Sequence, residues 1–283
     1  MYERILVALD GSDSSLHALS ETFPLARAEK SSLRVVSVVP PYEGELSLVG
    51  VKQGVVELMR QPFQMALIDA AKLAEAHGVR IQASCEQGEP HERIVDLAEA
   101  EHCDLIVMGV RGSNPTDQIL MGSLTARVIG HSRTDILVVP LKGTLGLASV
   151  LFAIDGSEFS DGAVQRAFTL HRSYGSKLFA LSVADVPPHL YGVSPAAAEG
   201  IIAKARENLV QVERQAHAAG VPIEPLLREG DPAQLITDIA EKQHMELIVI
   251  GSHGRSGLGR LLMGSVTERV IGHAGCPVLV TRS

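Results

Sequence analysis

An eleven-residue segment occurs twice in this chain of 283 residues. MGSLTARVIGH begins at Met121, and MGSVTERVIGH begins at Met263, 142 residues later, with nine of the eleven positions identical. Further pairs surround it in the same order: ILVALDGSDSS (5–15) with VLFAIDGSEFS (150–160), residues 88–109 with 230–251, and TDILVVP (134–140) with CPVLVTR (276–282). A period this long predicts a duplicated domain rather than a solenoid. We place the domains at residues 1–142 and 147–283, joined near the segment LKGTLGLAS (141–149).

The order of local patterns within each half predicts the fold class. Short runs rich in Val, Ile and Leu, such as ILVAL and LRVVSVV, alternate with longer stretches of helical periodicity. The apolar runs are nearly continuous, as expected for parallel strands that helices cover on both faces. We therefore predict two tandem α/β domains, each a doubly wound, five-stranded parallel sheet of Rossmann-like type.

Composition limits the function classes. A net charge of −8 argues against a general nucleic-acid binder, which normally presents a basic face. No apolar run approaches the roughly 18 residues of a membrane span, and MYERILVALDG leads into a strand without a signal segment. Three widely spaced cysteines predict reduced thiols rather than disulfides or a zinc site. We expect a cytoplasmic protein with no metal site.

Each half repeats a pattern of glycines at the carboxyl ends of its strands. An aspartate, Asp10 or Asp155, ends the first strand and is followed by Gly-Ser. A glycine ends the fourth strand, a second follows after two residues, and Gly-Ser follows nine residues later at the start of a helix. The glycines and serines are Gly109, Gly112, Gly122 and Ser123 in the first half, and Gly251, Gly254, Gly264 and Ser265 in the second.

This pattern suits phosphate. Glycine lets the backbone approach an oxyanion closely, and the free amides of a helix N-terminus hold negative charge. Tight turns alone would also explain the glycines, and duplication copies a turn as faithfully as a site. The pattern is neither a P-loop nor a dinucleotide fingerprint.

The terminal aspartate of strand one, the G-2x-G-9x-G-[ST] spacing and the run SHGRSGLGRLLMGSVTERVI (252–271) resemble the universal stress protein family over the whole chain. The resemblance implies ATP, or AMP or ADP, in a cleft at the strand ends, with or without Mg²⁺. It also implies that the two domains pair through their fifth strands, Asp135 to Pro140 against Cys276 to Thr281.

The same resemblance assigns roles to particular residues. Asp10 and Asp155 would face the nucleoside, and Val38 and Val183 would lie against adenine. The glycines and serines of the motif would wrap the phosphates. Their neighbours complete the nucleotide-binding set with Leu124 in the first half and Arg255 and Val266 in the second.

The nine residues between the last two glycines differ between the halves. The second span, RSGLGRLLM (255–263), has two arginines, whereas the first, SNPTDQILM (113–121), has Asp117 and no basic residue. Because Arg suits phosphate and a carboxylate opposes it, we predict tighter ATP binding in the second half. Solvated loop charges without a ligand remain the alternative.

Other candidate residues favour structural roles. His131 and His273 end the repeated helix, where a basic group suits the helix dipole. His102 and Cys103 are adjacent in sequence, but no third ligand accompanies them. Loops at 44–54 and 186–195 differ between halves and could cover the clefts.

Three functions remain open at this stage. The first is a nucleotide-binding stress-response regulator whose occupancy changes conformation or partner choice. The second is a slow ATPase or another nucleotide-dependent enzyme, although the chain lacks the P-loop lysine that such chemistry commonly uses. The third is an interaction module that binds no nucleotide. We expect an adenine nucleotide as ligand, with a protein partner and a homodimer as open possibilities.

Overall fold

A computed structural model of the chain describes residues 1–41, 49–110, 122–254 and 263–282. The chain divides into two compact units, Tyr2–Leu141 and Lys142–Ser283. Among the described residues, none of the helices combines the length and the apolar character that crossing a membrane requires.

The first unit is a five-stranded parallel sheet with four helices among its described residues. Its elements are β1 (Arg4–Leu9), α1 (Asp13–Glu29), β2 (Ser32–Val39), α2 (Val49–Ala76), β3 (Ile81–Gln87), α3 (Pro90–Ala100), β4 (Leu105–Gly109), α4 (Ser123–His131) and β5 (Asp135–Val139). The strand order is β3-β2-β1-β4-β5, and each pairing within the unit is parallel.

The second unit repeats this arrangement with one additional short helix. Its elements are β6 (Ser149–Ile154), α5 (Glu158–Tyr174), β7 (Lys177–Ala184), α6 (Leu190–Val193), α7 (Pro195–Ala219), β8 (Ile223–Glu229), α8 (Pro232–Lys242), β9 (Leu247–Gly251), α9 (Ser265–His273) and β10 (Val278–Thr281). The strand order is β8-β7-β6-β9-β10, again parallel. The predicted pair of doubly wound α/β domains is confirmed.

The winding direction determines which helices share a face. Right-handed crossovers carry α1 and α2 to one side of the first sheet, and the reversal after β3 carries α3 and α4 to the other. The pairwise packing of α1 with α2 and of α3 with α4 agrees with this. The reversal leaves a crevice between β1 and β4, and between β6 and β9 in the second unit, where such sheets bind ligands.

The central strands are buried along their length, because helices cover both faces. β4 and β9 are buried at every position. Aromatic side chains fill the space between sheet and helices: Phe23 is fully buried on α1, and Phe152 packs edge-on against Phe168 with ring centroids 6.5 Å apart.

Two segments that we expected to be loops contain helix. α2 begins at Val49, inside the segment 44–54 that we expected to be a loop, and continues through Gly50 and Gly54. An isolated helical glycine costs only about 1 kcal/mol relative to Ala, so a long helix tolerates it. In the second unit, α6 interrupts the connection that precedes α7. Residues 42–48 of the first of these segments lie outside the described residues.

The start of the second unit is held by Glu246, which precedes β9. Its Oε2 accepts a hydrogen bond of 2.6 Å from the amide of Ala148. A Cβ built on Gly146 would lie 2.9 Å from the Cβ of Glu246, so glycine is needed for this approach. The connecting segment is therefore attached to the unit that follows it.

Candidate functional site

Both predicted aspartates follow the central strand of their sheet directly. Oδ1 of Asp10 accepts the amide of Ser12 at 3.0 Å, and Oδ1 of Asp155 accepts the amide of Ser157 at 3.0 Å. The intervening glycines take left-handed conformations, with φ of +81° at Gly11 and +77° at Gly156. A side-chain oxygen bonded to the amide two residues on is the usual geometry of an Asp turn. The turn holds each carboxylate at the crevice.

The serines of these turns cap the next helix. Ser12 Oγ accepts the amide of Ser15 at 3.2 Å, and Ser157 Oγ accepts the amide of Ser160 at 3.3 Å. Each cap satisfies one of the amides that a helix N-terminus leaves without an acceptor. The N-termini of α1 and α5 are thus partly occupied by the chain itself.

The helices of the repeated segment begin differently. Their N-cap residues are Gly122 for α4 and Gly264 for α9, and among the described residues neither helix has a side-chain cap. The first helical bonds run from Ala126 to Gly122 and from Glu268 to Gly264. The amides of residues 123–125 and 265–267 precede those bonds and have no acceptor within their helix. Such a terminus can bind an anion.

The capping glycines are fixed by the strand end beside them. The amide of Gly122 donates to the carbonyl oxygen of Val110, and that of Gly264 to Ser252, each at 2.9 Å. Neither glycine needs a left-handed backbone, with φ of −66° and −65°. A Cβ on Gly264 would lie 3.2 Å from the Cα of His253, so glycine serves close approach here.

Two buried threonines tie these helices to the sheet. Thr125 Oγ1 donates to the carbonyl oxygen of Gly109 at 3.2 Å, and Thr267 Oγ1 donates to Gly251 at 2.9 Å. Our sequence analysis did not select them. The signal was available, because this threonine is among the identical positions of the repeat.

The glycines that end β4 and β9 pack against helices. A Cβ on Gly109 would lie 2.8 Å from the carbonyl carbon of Ser14, and one on Gly251 would lie 2.6 Å from the carbonyl oxygen of Phe159. The start of α1 thus packs directly against the end of β4, and the start of α5 packs directly against the end of β9. This packing explains both glycines without a ligand.

A cavity in the first unit brings several predicted residues together. Its volume is about 260 Å³, just below the roughly 300–1,000 Å³ of typical ligand pockets. Most of its lining side chains are apolar, including Phe63 of α2 and Met108 of β4. Of the residues that we selected by sequence, it is lined by Asp10, Val38, Gly109, Gly122, Ser123 and Leu124.

Contacts also connect the predicted residues of the second unit. A Cβ on Gly254 would lie 2.9 Å from Oδ2 of Asp155, so the glycine after β9 adjoins the carboxylate after β6. Ser265 and Val266 are the first two residues of α9, with Ser265 exposed. Val183 lies near the end of β7 and is half-buried.

Part of the predicted site lies outside the described residues. Gly112 and Arg255 are in this group, as are all but one residue of the two nine-residue spans whose sequences differ. The prediction that the second span favours ATP therefore rests on sequence alone.

His253 lies close to Gly264 of the candidate site, and it was not among the residues that we predicted from the sequence. It is 7% exposed, its ring lies 4.9 Å from that of Phe159, and its Nδ1 is 3.0 Å from Ser252 Oγ. Among the described residues, its Nε2 has no hydrogen-bond partner. His253 directly precedes Gly254, the glycine that adjoins the Asp155 carboxylate.

An ion pair connects α9 to the neighbouring α8. Both terminal nitrogens of Arg269 donate to the Asp231 carboxylate, at 2.7 and 3.0 Å. The same carboxylate caps α8 by accepting the amide of Gln234 at 2.9 Å. These bonds, the Arg269 contact first, hold the pKa of Asp231 below its ordinary value.

A larger cavity of about 660 Å³ lies between α8 and α9 and contains none of the predicted nucleotide-binding residues. Cys276 lines it, and burial raises the pKa of this thiol to about 11. A thiol with this pKa is protonated at neutral pH and is a poor nucleophile. We place the candidate site in the crevices instead, where the uncapped helices and the aspartates meet.

His131, His273 and Cys103, which sequence analysis considered as candidates, have structural environments. Nδ1 of His131 and of His273 each lies within 2.8 Å of the carbonyl oxygen four residues earlier. Cys103 is buried, and burial raises its pKa to about 11. Within the described residues, no group of three or more His, Cys, Asp or Glu side chains is placed to hold a metal ion.

Comparison with known proteins agrees with this architecture. The family model described as "Universal stress protein family" matches residues 1–140 and again 147–282. The universal stress protein MJ0531 of Methanocaldococcus jannaschii is 36% identical over 137 residues, which cover 47% of this chain and 81% of that protein. A universal stress protein of Mycolicibacterium smegmatis is 26% identical over 98% of this chain and 96% of its own length.

A solved structure extends the likeness to the whole chain. The crystal structure of a universal stress protein from Archaeoglobus fulgidus matches with a TM-score of 0.74 at 20% identity, covering 99% of this chain and 96% of that one. At this identity the likeness concerns the fold alone. The two matches of the family model establish that the chain is a tandem, two-domain member of the universal stress protein family.

Proposed function

We propose that this protein binds an adenine nucleotide, ATP or alternatively AMP or ADP, in the crevice of each unit. The phosphates lie at the N-terminus of α4 or α9, and the nucleoside lies against Asp10 or Asp155. The observation that carries the proposal is the glycine-capped helix. Its free first-turn amides adjoin a carboxylate-bearing strand end, and the arrangement occurs in both units.

The chemistry of the crevice supports a nucleotide over a free phosphate. In the first unit, the apolar lining beside Asp10 provides contact for a planar base, with Val38 and Phe63 among the side chains. Each amide-to-phosphate bond contributes roughly 1.5–3 kcal/mol, because one partner is charged. Four or five such bonds are compatible with micromolar affinity.

The role that follows from binding is regulatory. Occupancy by nucleotide changes the conformation or the choice of protein partner, and an enzymatic role is the alternative. Phosphoryl transfer needs a cationic clamp and a base around the γ-phosphate. Steady ATP turnover that Asp155→Ala abolishes would establish the enzymatic role.

The proposal is tested by extracting nucleotide from the purified protein, identifying it, and titrating ATP calorimetrically. We expect two binding events for the wild type and one for Gly264→Val or Gly122→Val, because the branched side chain covers the first-turn amides. Gly200→Val is a matched control, since Gly200 is exposed on α7 with no atom within 4 Å of an added Cβ. Unchanged stoichiometry in both crevice variants contradicts the proposal.

The two crevices are further proposed to differ in affinity. The second has Arg255 and Arg260 in the span where the first has Asp117. Gly264→Val should therefore remove the tighter binding event and Gly122→Val the weaker. Equal affinities in the two single variants would show that the loop charges do not face phosphate.

A further inference from the structure

A buried polar side chain beside the Asp155 turn of the second unit has an unusual environment. Asn208 of α7 is 2% exposed. A Cβ built on Gly156 would lie 2.5 Å from its Oδ1 and 2.9 Å from its Cγ, so the amide rests directly on the Gly156 backbone. Among the described residues, neither Oδ1 nor Nδ2 of Asn208 has a hydrogen-bond partner.

The first unit has an alanine at the equivalent position. Ala66 lies 142 residues before Asn208, and its Cβ is 3.2 Å from a Cβ built on Gly11. The two turns are otherwise alike, because each has a left-handed glycine and the same bond from the serine amide to the aspartate. The turn therefore does not require asparagine.

An unpaired amide is expensive in this position. A buried polar group without a partner loses its hydrogen bonds to water and gains none in return, a cost in stability that the alanine of the first unit avoids. Buried polar groups are satisfied in the great majority of cases, so an exception needs an explanation. A ligand that supplies the missing hydrogen bonds is one such explanation.

The position of Asn208 indicates which part of a ligand would meet it. On α2, Phe63 lines the cavity of the first unit and Ala66 lies one turn further along the same helix. Through Phe63, this helix therefore contributes to the lining of the cavity that also contains Asp10 and Val38. Asn208 has the corresponding place on α7, next to the turn that holds Asp155.

We propose that Asn208 is the specificity-determining residue of the second crevice and that its amide hydrogen-bonds the amino-bearing edge of the bound adenine. This inference rests on the proposed nucleotide binding. An Asn side chain presents an acceptor beside a donor, which complements the N6 donor and N7 acceptor of adenine. Guanine presents two acceptors on that edge and does not match. Ala66 makes no such bonds, so the first crevice holds the base by apolar contact.

The test compares ATP with purine riboside triphosphate, which lacks the 6-amino group. Full-length protein carrying Gly122→Val isolates the second crevice, and calorimetry gives the two affinities. We expect Asn208→Ala to weaken ATP binding about 5-fold to 150-fold, the range for a bidentate base contact. Binding of purine riboside triphosphate should weaken much less, and the melting temperature without nucleotide should stay unchanged or rise.

Two further variants serve as controls. Gln211→Ala changes an exposed side chain one turn along α7 and should alter neither affinity. Ala66→Asn, in protein carrying Gly264→Val, should increase the preference of the first crevice for ATP over purine riboside triphosphate.

The results that would overturn this inference can be distinguished from those that would overturn the proposed function. Equal loss of both nucleotides with a lower melting temperature would assign Asn208 a purely structural role and overturn the inference. Unchanged affinities in Asn208→Ala would overturn it while leaving the proposed function intact. A wild-type protein that binds no nucleotide would overturn both.

Discussion

At the scale of single residues, the glycines of one motif are required for different physical reasons. Gly264 is close to His253 and leaves the helix uncapped, whereas Gly251 is required by contact with the Phe159 backbone. Spacing along the chain predicted all of them as phosphate-contacting. It could not separate these roles, because Phe159 is 92 residues distant from Gly251 in sequence and meets it only in the fold.

The contact at Gly251 leads to a stability prediction. Gly251→Ala should lower the free energy of unfolding by about 1–3 kcal/mol, because the added Cβ would overlap the carbonyl oxygen of Phe159 and backbone cannot move as a side chain does. Urea denaturation measures the change. Gly200→Ala is the control and should be neutral or stabilising, since Gly200 is helical and unobstructed. An equally stable Gly251→Ala protein would show that α5 can move away from β9.

At the scale of elements, α9 is positioned from two sides. Thr267 bonds it to the end of β9, and Arg269 bonds it to the cap of α8. Sequence analysis predicted α9 with its observed bounds, because glycine, serine and a periodic apolar face mark the helix clearly. It did not predict the ion pair, which joins residues 38 positions apart on two helices. Helix existence is a local property, whereas helix orientation depends on such contacts.

The ion pair makes stability depend on pH in a definite direction. Because the folded protein has a lowered Asp231 pKa, the pair stabilises it above the ordinary Asp pKa of about 3.9. The stabilisation is lost as pH falls through the folded-state value. Asp231→Asn keeps the helix cap but removes the charge. The urea midpoints of wild type and Asp231→Asn should differ at pH 7 and converge as pH falls below 4.

Both members of the pair are about half exposed, so the difference at pH 7 should be small. It should also shrink in high salt, because salt screens exposed charges. A midpoint difference that stays constant from pH 7 to pH 3 would attribute the effect of the variant to capping instead.

At the scale of the whole molecule, duplication explains why the fold was predictable and the differences between crevices were not. Strand and helix patterns occur twice, and each copy supports the interpretation of the other. Ala66 and Asn208 lie in helices whose sequences diverge, so the sequence alone does not identify them as equivalent. Their equivalence becomes visible in the structure, where each packs against the glycine that follows the aspartate. The sequence pattern reveals the features that the two copies share, whereas the three-dimensional structure is needed to find the features in which they differ.

Hydrogen exchange can test nucleotide binding across the whole chain, because helix starts with and without a side-chain cap occur in the same protein and can be compared directly. ATP should slow exchange at the first-turn amides 123–125 and 265–267, because phosphate would accept from them. The first turns of α1 and α5, where Ser12 and Ser157 already cap the helix, should change little. Mass spectrometry of peptides from both units measures this. Equal protection of all four helix starts would indicate a general stiffening of the protein rather than phosphate contact.

The glycine N-caps affect two properties in opposite directions, the stability of the helix and the availability of its first-turn amides to an anion. Ser157 Oγ caps α5, whereas α9 has no side-chain cap among the described residues and forgoes the few tenths of a kilocalorie per mole by which a serine cap exceeds a glycine. A capping hydroxyl at this terminus would compete with any incoming phosphate for the helix amides. In the proposed function, the phosphate of a bound nucleotide accepts hydrogen bonds from these amides and replaces the missing cap.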